Sequence, residues 1–281
     1  MRLISINGRV HALGPGGARA IDLGDLTGAP SGACRFLEDG GVEAARERLN
    51  ALASDAGVEA EGLKLDPPVP KPRMVWAIGL NYRDHIEEQG AEVPSVPTVF
   101  VKSPRALVGH EADIIVPPHV TKPDYEGEVA FVVARTCKDV PEDRALDYIA
   151  GVTCAHDVSA RDHQFTTGQW SWSKSFDTFC PLGPILVTTD EVDVFNLPIE
   201  TRLNGEVVQA SNTKELVFPI PRLLAELSRG VTLQAGDVVL TGTPGGVGMH
   251  RKPPRFLQDG DVVEVEIEGV GTLRNRVARK G

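Results

Sequence analysis

The chain has 281 residues, a net charge of −10 at pH 7 and a pI near 5.2, so nucleic acid and anionic membranes are not expected as partners. No apolar run approaches the roughly 20 residues that a membrane-spanning helix needs. The four cysteines contain no CxxC pair, which argues against a structural zinc site or a thioredoxin-type redox site.

The first part of the chain predicts a small unit of short strands and one helix. Residues 1–8 end in Asn-Gly and predict a strand with a turn rather than a signal peptide, so we expect a cytoplasmic protein with reduced thiols. Strands are predicted at Leu3–Ile6 and Ala20–Leu23. A helix is predicted at Gly41–Ala53, with an apolar stripe formed by Val42, Ala45, Leu49 and Leu52.

A proline-rich segment, Asp66–Pro72, follows this unit. Proline lacks the backbone N–H and fixes φ, so the segment cannot be helical and is suited to be a stiff linker. We therefore predict a small N-terminal domain with its linker at residues 1–68 and a larger domain at residues 69–281.

The larger domain has mostly the pattern of β-strands. Strands are predicted at Met74–Ile78, Thr98–Lys102, Glu128–Val133, Ile149–Ala155, Gly183–Thr188, Ile199–Leu203, Glu206–Val208, Val238–Leu240, Val262–Ile267 and Thr272–Val277. Asn204-Gly205 predicts a tight hairpin turn between two of them. Helices are predicted at Pro141–Asp147 and Ile220–Ser228.

Two acidic residues open one of these strands. Glu126 and Glu128 are two positions apart, so their side chains point to the same face. A solvated edge strand would explain such a pair, but Ala130 and Val132 share that face and indicate that the carboxylates border a core. Buried carboxylates need a positive partner, and a divalent cation with oxygen ligands is the natural candidate.

Asp157 follows the predicted strand of small residues and could complete an oxygen triad with this pair. Three carboxylates suit Mg²⁺ or Mn²⁺ rather than the sulfur and nitrogen ligands of structural zinc. The alternative is that Asp157 caps a helix that begins near Ser159. Spatial convergence of the three acids would distinguish these interpretations.

Three further elements carry candidate chemistry. His85 and Glu88 share a helix face, so the carboxylate could orient the imidazole as a general base; a solvated surface histidine is the alternative. Lys174 lies among aromatic residues and could stabilise an enolate or oxyanion, or could extend to solvent. The glycine-rich turn Thr241–Gly248 exposes backbone N–H groups that can bind a carboxylate, and it lacks the lysine of a Walker loop.

In combination these motifs resemble the fumarylacetoacetate hydrolase family. The motifs occur in family order between residues 79 and 248, as Gly-Leu-Asn-Tyr-x-x-His-x-x-Glu at 79–88, Asp-Tyr-Glu-Gly-Glu at 124–128, Asp-Val-Ser-Ala-Arg-Asp at 157–162, Lys-Ser-Phe-Asp-Thr-Phe at 174–179 and Thr-Gly-Thr-Pro at 241–244. The resemblance implies a β-rich α+β fold, in which a mixed β roll of the family's C-terminal type follows a small N-terminal α/β domain. It also implies a homodimer.

The resemblance implies roles for particular residues. The metal ligands, for Mg²⁺ or Mn²⁺, would be Glu126, Glu128 and Asp157. The catalytic residues would be His85, Glu88 and Lys174. Substrate would be bound by Tyr82, Gln164, Gly242 and Thr243. One departure is His156, where asparagine commonly precedes the metal-binding aspartate, so the surroundings of the metal ligands are expected to differ there.

The implied substrate is a small keto acid, and the reaction expected first is hydrolysis of the C–C bond in an acylpyruvate such as fumarylpyruvate or acetylpyruvate. His85, held by Glu88, would activate water for attack on the distal carbonyl, and Lys174 would hold the departing enolate. The alternatives are decarboxylation of oxaloacetate, isomerisation of 2-hydroxyhepta-2,4-diene-1,7-dioate, a ureidoglycolate lyase reaction, and a protein that binds a metal and a keto acid without turnover.

Overall fold

A computed structural model of the protein describes residues 1–28, 32–49, 52 and 56–279. Within these residues the strands, in chain order, are β1 (Arg2–Ile6), β2 (Arg9–Leu13), β3 (Arg19–Asp22), β4 (Val58–Glu59), β5 (Val75–Gly79), β6 (Thr98–Lys102), β7 (Leu107–Val108), β8 (Ile114–Val116), β9 (Pro123–Asp124), β10 (Gly127–Val133), β11 (Ile149–His156), β12 (Ser159–Ala160), β13 (Cys180–Val187), β14 (Pro198–Leu203), β15 (Glu206–Asn212), β16 (Val238–Leu240), β17 (Val262–Ile267) and β18 (Gly271–Arg279).

Helices are shorter and connect these strands. The α-helices are α1 (Leu23–Thr27), α2 (Ala33–Glu38), α3 (Gly41–Leu49), α4 (Arg83–Gln89), α5 (Arg161–Thr167), α6 (Trp170–Ser173) and α7 (Ile220–Gly230). The 3-10 helices are Pro15–Gly17, Pro104–Ala106, Glu142–Tyr148, Thr213–Glu215 and Gly248–His250. Among the described residues, no helix is both long enough and apolar enough to span a lipid bilayer.

The strands of the described chain form two larger sheets and one short pair. The large sheet has the order β4-β3-β2-β1-β13-β11-β10-β16-β5-β6, with β7 pairing in parallel to β13. The second sheet has the order β15-β14-β17-β18-β8, and β9 pairs with β12 alone. Both sheets mix parallel and antiparallel pairs, so the β-rich α+β fold predicted from the sequence is confirmed.

The central strand β10 is buried on both faces. Val129 and Phe131 face a core shared with the second sheet and α7. Ala130 and Val132 face a second core, which the N-terminal strands and α1–α3 cover from the other side. The predicted apolar face next to Glu126 and Glu128 is therefore confirmed, because that face is closed by the N-terminal residues rather than by solvent.

Several predicted boundaries differ from the structure for local reasons. Leu23 belongs to α1 rather than to a strand, because the Asp22 carboxylate accepts hydrogen bonds from the N–H groups of Gly24 and Asp25 and caps the helix. Ser159 is in β12 rather than a helix, because it pairs with Asp124 of β9.

Other predicted elements differ in length or type. The predicted helix at Pro141–Asp147 is the 3-10 helix Glu142–Tyr148, and the predicted strand at Gly183–Thr188 begins three residues earlier, as β13. The predicted helix at Gly41–Ala53 corresponds to α3, which ends at Leu49, while positions 50, 51 and 53 lie outside the described residues.

The N-terminal strands continue the large sheet. β1 pairs antiparallel with β13, with Leu3 opposite Leu186, and Ser5 forms a bridge with Asp66. The division into domains at residue 68 stays a prediction, and the continuous sheet means that any such domains share backbone hydrogen bonds.

Gly127 lies where strands of the second sheet pack directly against β10. A Cβ atom at Gly127 would lie 2.0 Å from Oγ1 of Thr201 in β14. The only side chain that fits between the two glutamates is therefore a hydrogen atom.

We predict that Gly127→Ala lowers the Tm by several degrees, because overpacking costs about 1–3 kcal/mol and roughly 2–4 °C accompany each kcal/mol in a chain of this size. Gly230→Ala is the matched control, because a Cβ there meets nothing within 4 Å. Thermal denaturation of both variants tests this. An unchanged Tm for Gly127→Ala would show that the sheets are not packed as described.

Candidate metal and catalytic site

The three predicted acids converge at the junction of β10 and β11. These strands pair with Gly127 opposite His156, which places Asp157 beside the pair of glutamates. The N–H of Asp157 donates to the carbonyl of Glu126 at 2.8 Å. One carboxylate oxygen from each of Glu126, Glu128 and Asp157 lies within 4.8 Å of the others, and all three residues are at most 5% exposed.

Two buried lysines surround these acids. Lys174 Nζ lies 2.6 Å from Glu126 Oε2, 2.7 Å from Asp157 Oδ2 and 2.7 Å from Ser159 Oγ. Lys102 Nζ donates to Asp157 Oδ1 and to the carbonyl of Lys174. The alternative that Lys174 extends to solvent is wrong, since this residue is 3% exposed.

The acids do not share this positive charge equally. For Glu126, burial opposes ionisation, but Lys174 and Arg161 outweigh it and hold its pKa below the ordinary range. For Glu128, burial and the neighbouring carboxylates Asp157 and Glu126 hold its pKa well above the ordinary value. Glu128 is thus the acid whose charge the described protein groups compensate least.

The donor set fits a hard divalent cation. It offers buried carboxylate oxygens within reach of one ion, which Mg²⁺ and Mn²⁺ prefer. The competing assignment of Asp157 as a helix cap is wrong, because α5 begins at Arg161 and has no side-chain cap. Glu126, Glu128 and Asp157 are the residues that would hold the ion.

The histidine–glutamate pair lies on α4, over the same cavity. His85 Nδ1 is 3.0 Å from Glu88 Oε2, and His85 Nε2 is 2.7 Å from Gln89 Nε2. Burial raises the pKa of Glu88, but hydrogen bonds from His85 and the Gly246 N–H outweigh it and lower that pKa, so the carboxylate is ionised and can only accept. Nδ1 therefore carries a proton, and in the neutral form of the ring Nε2 has the lone pair. His85 is 7% exposed, so the alternative of a solvated surface histidine is wrong.

The glycine-rich turn binds carboxylates, as its sequence predicts, but these belong to the protein. N–H groups of this turn, and of Met249 directly after it, donate to four acidic side chains. The pairs are Gly242 to Glu128 at 2.7 Å, Gly245 to Asp84 at 3.2 Å, Gly246 to Glu88 at 3.0 Å, Gly248 to Asp124 at 2.8 Å and Met249 to Asp124 at 3.1 Å. One backbone segment thereby fixes a triad acid, the helix α4 and the strand β9 relative to one another. Ser211 Oγ adds a bond of 2.6 Å to Asp84.

Sequence reasoning missed two charged residues of the site. Arg161 forms ion pairs with Glu126 and Asp124 at 2.6 and 2.9 Å, and its Nη1 donates to Gln164 Oε1 at 2.9 Å. The residues next to Arg161 in the sequence form no periodic pattern that predicts where its side chain points. Lys102 ends β6, in which the other four residues are partly or fully exposed, so the local sequence gave no sign that this charge is buried.

A cavity of about 290 Å³ contains the triad and connects it to His85. Its wall also includes Gln89, Phe100, Arg161, Gln164, Lys174 and Thr243. Its size is near the lower end of the range for small-molecule sites. The predicted substrate contacts Gln164 and Thr243 are thus on the wall.

The other two predicted substrate contacts need correction. Tyr82 is fully buried in the core that Val129 and Phe131 face, and it is not on the cavity wall. Burial, together with Glu128 and Asp84, raises the pKa of its phenol. Gly242 is also off the wall, and its N–H is used by Glu128. Both residues therefore lie behind the cavity wall, where Tyr82 packs in the core and Gly242 holds Glu128.

His156 occupies the position next to a triad acid where the family commonly has asparagine. It is 1% exposed, and burial together with Lys102 lowers the pKa of its imidazole to about 3. The ring is therefore neutral near the two buried lysines, and histidine in place of asparagine adds no charge to the site.

Comparison with known proteins identifies what this arrangement resembles. The sequence model described as fumarylacetoacetate (FAA) hydrolase C-terminal matches residues 74–278. The chain is 44% identical over 264 residues to oxaloacetate tautomerase Fahd2a, mitochondrial, of Rattus norvegicus, a match that covers 93% of this chain and 84% of that protein. Since that relative is named as mitochondrial, the cytoplasmic location expected from the sequence stays a prediction.

Two solved structures share the fold of this chain over its whole length. 5-Carboxymethyl-2-hydroxymuconate delta-isomerase from Mycobacterium smegmatis is 36% identical with a TM-score of 0.79, and all of each chain is covered. Maleylpyruvate hydrolase from Sphingobium sp. SYK-6, in complex with manganese(II) ion and pyruvate, is 30% identical with a TM-score of 0.82, again over all of each chain.

We predict that Glu128→Gln raises the Tm of the metal-free protein at about pH 8 by a few degrees and abolishes the Tm increase caused by Mn²⁺. The raised pKa of Glu128 stabilises the fold below the ordinary pKa of glutamate, and this contribution is lost as the pH rises through the raised value. A neutral amide removes that loss and also removes a metal ligand.

Glu61→Gln is the control, because Glu61 is exposed. It should leave both the Tm and the Mn²⁺ response unchanged. Thermal shift across a pH series, with and without Mn²⁺, measures both effects. A Glu128→Gln protein that is still stabilised by Mn²⁺ as wild type is would contradict the assignment of the triad.

Proposed function

The chain belongs to the fumarylacetoacetate hydrolase family, whose members are enzymes, and we propose that it is a divalent-metal-dependent enzyme that interconverts the enol and keto forms of a 2-oxo acid, with oxaloacetate as its substrate. The observation that carries this proposal is the single cavity that joins a buried acidic triad, a buried ammonium group and a carboxylate-held imidazole. These are the groups that proton transfer next to a carbonyl needs.

The acidic triad and the lysine would act on the oxygen atoms of the substrate. A Mg²⁺ or Mn²⁺ ion held by the triad would supply Lewis-acid polarisation of a 2-oxo acid. Burial favours loss of the Lys174 proton, but Asp157 and Glu126 outweigh this and raise its pKa, so Lys174 stays an ammonium. It can stabilise negative charge on the 2-oxygen without giving up its proton.

His85 is the group that moves a proton to or from carbon. Its Nε2 lone pair can accept a proton from C3 of the keto form, and the resulting imidazolium is stabilised by Glu88 on the other nitrogen. The imidazolium then gives this proton to the 2-oxygen, which yields the enol and restores the neutral ring. In the opposite direction Nε2 takes the enol O–H proton and returns it at C3. Gln89 donates to the same Nε2, so this amide has to release His85 before the transfer.

The choice of oxaloacetate is supported by the relatives rather than by the triad. Several proteins at 41–44% identity that cover 93–99% of this chain are named oxaloacetate tautomerases. Enolisation of a 2-oxo acid requires only the groups described above and needs no bound water, so the buried cavity is compatible with it.

Hydrolysis of an acylpyruvate is the second candidate. The His85–Glu88 pair has the arrangement that deprotonates water, and a protein with the same fold is named maleylpyruvate hydrolase. In that reaction the proton moved by His85 comes from water, and the same Lys174 stabilises the enolate that leaves. Both candidates therefore need the same residues and differ in the substrate.

A substrate panel with Mn²⁺-loaded enzyme tests both. We predict enol–keto interconversion of oxaloacetate, followed by its ultraviolet absorbance, and a reduction of kcat by His85→Ala of about 10²-fold or more. His119→Ala is the control, because His119 is exposed and is not on the cavity wall. Cleavage of acetylpyruvate and fumarylpyruvate tests hydrolysis. Formation of pyruvate from oxaloacetate tests decarboxylation, and release of glyoxylate from ureidoglycolate tests the lyase alternative.

Mn²⁺ affinity should stay within about 2-fold in His85→Ala, because His85 is not a triad member. If the loaded wild-type enzyme turned over none of these compounds, the catalytic proposal would fail. If it hydrolysed acylpyruvates and left oxaloacetate tautomers at the uncatalysed rate, the second candidate would replace the first.

A further inference from the structure

His250 is a basic side chain of the cavity wall for which the described part of the chain supplies no hydrogen-bond or ion-pair partner. It ends the 3-10 helix Gly248–His250, is half-buried, and its ring centre lies 6.2 Å from that of His85 in an edge arrangement. Within the described residues, no hydrogen bond or ion pair engages its imidazole. The sequence motifs assign it no role, since it follows the glycine-rich turn.

The other basic side chains of the wall are already committed. Lys174 bonds to Glu126, Asp157 and Ser159, and Arg161 is paired with Glu126, Asp124 and Gln164. His85 is held between Glu88 and Gln89. Among the described residues of this wall, His250 is therefore the basic group that remains available to a ligand.

The backbone that carries His250 is rigidly held. The fully buried Asp124 carboxylate accepts from the N–H groups of Gly248 and Met249 and also binds Arg161. A Cβ at Gly248 would lie 2.0 Å from the carbonyl oxygen of Arg255, so the turn is closely packed. A donor on such a turn loses little conformational freedom when a ligand binds.

The position of His250 relates it to the far end of the substrate, meaning the end away from the 2-oxo acid group. The triad and Lys174 take the 2-oxo acid group under the proposed function, and His85 acts at the next carbon, C3. Because His250 adjoins His85, the group attached to C3 is the part of the substrate that comes nearest to it. The charged and titratable groups that face His250 are Glu88, His85, Arg161 and Asp124.

We propose that His250 donates a hydrogen bond to a carboxylate at the far end, which makes the cavity selective for dicarboxylic 2-oxo acids over those with an apolar far end. This inference rests on the proposed function, because the triad has to fix the opposite end of the ligand. An unpartnered N–H favours a ligand that carries a matching acceptor, since with other ligands the donor of this half-buried ring is left unpaired in the occupied cavity.

The test compares two ligands of four carbons that differ only at the far end, oxaloacetate and 2-oxobutanoate, with oxalate as a probe of the 2-oxo acid end alone. Their Kd values for the Mn²⁺-loaded protein are measured by rapid-mixing tryptophan fluorescence, with Trp170 on the cavity wall as the reporter. The variants are His250→Phe, which keeps a ring without a donor, and His250→Gln, which keeps an N–H donor. His119→Phe is the matched control, because His119 is exposed and is not on the cavity wall.

We expect His250→Phe to weaken oxaloacetate about 10-fold while oxalate and 2-oxobutanoate change less than about 2-fold. His250→Gln should recover most of the loss, and His119→Phe should resemble wild type. An equal loss for both four-carbon ligands, or no loss, would overturn the role of His250 and leave the proposed function standing. A wild-type protein that binds none of the three ligands would overturn both.

Discussion

The structure depends on the mutual repulsion of three buried carboxylates and on what offsets it. Glu126, Glu128 and Asp157 come together because β10 and β11 pair in one register, and a shift of one residue would turn the glutamates to the opposite face. Two lysines and Arg161 compensate part of the negative charge. Glu128 remains the least compensated acid, and this imbalance is what a divalent cation would relieve.

The glycine-rich turn transmits this arrangement to the rest of the site. Its N–H groups reach a triad acid, both acids that hold α4, and the acid that holds Arg161. Backbone donors of this kind cost no side-chain entropy and cannot be lost by a change of rotamer. His85, the triad acid Glu128 and the wall around His250 are therefore held by one segment, so these parts of the site are positioned together.

The sequence predicted the residues whose position follows from a local period, and it did not predict those whose position depends on side-chain direction. The i, i+2 pattern of Glu126 and Glu128 and the i, i+3 pattern of His85 and Glu88 are set by strand and helix geometry, and the structure brings these residues together. Lys102 approaches Asp157 across 55 positions, which no local pattern indicates. Tyr82 lies within a family motif, but its side chain is in the core. The packing of α4 decides which side of this segment is covered, and the motif does not contain that information.

The most direct test of the central claim is the location of Mn²⁺ by anomalous X-ray diffraction from crystals of the loaded protein. The account predicts one peak, about 2.1 Å from one oxygen of each of Glu126, Glu128 and Asp157. A peak bound by other residues, or no peak in the cavity at saturating Mn²⁺, would contradict it. In that case the repulsion among the three acids would be relieved by protonation alone.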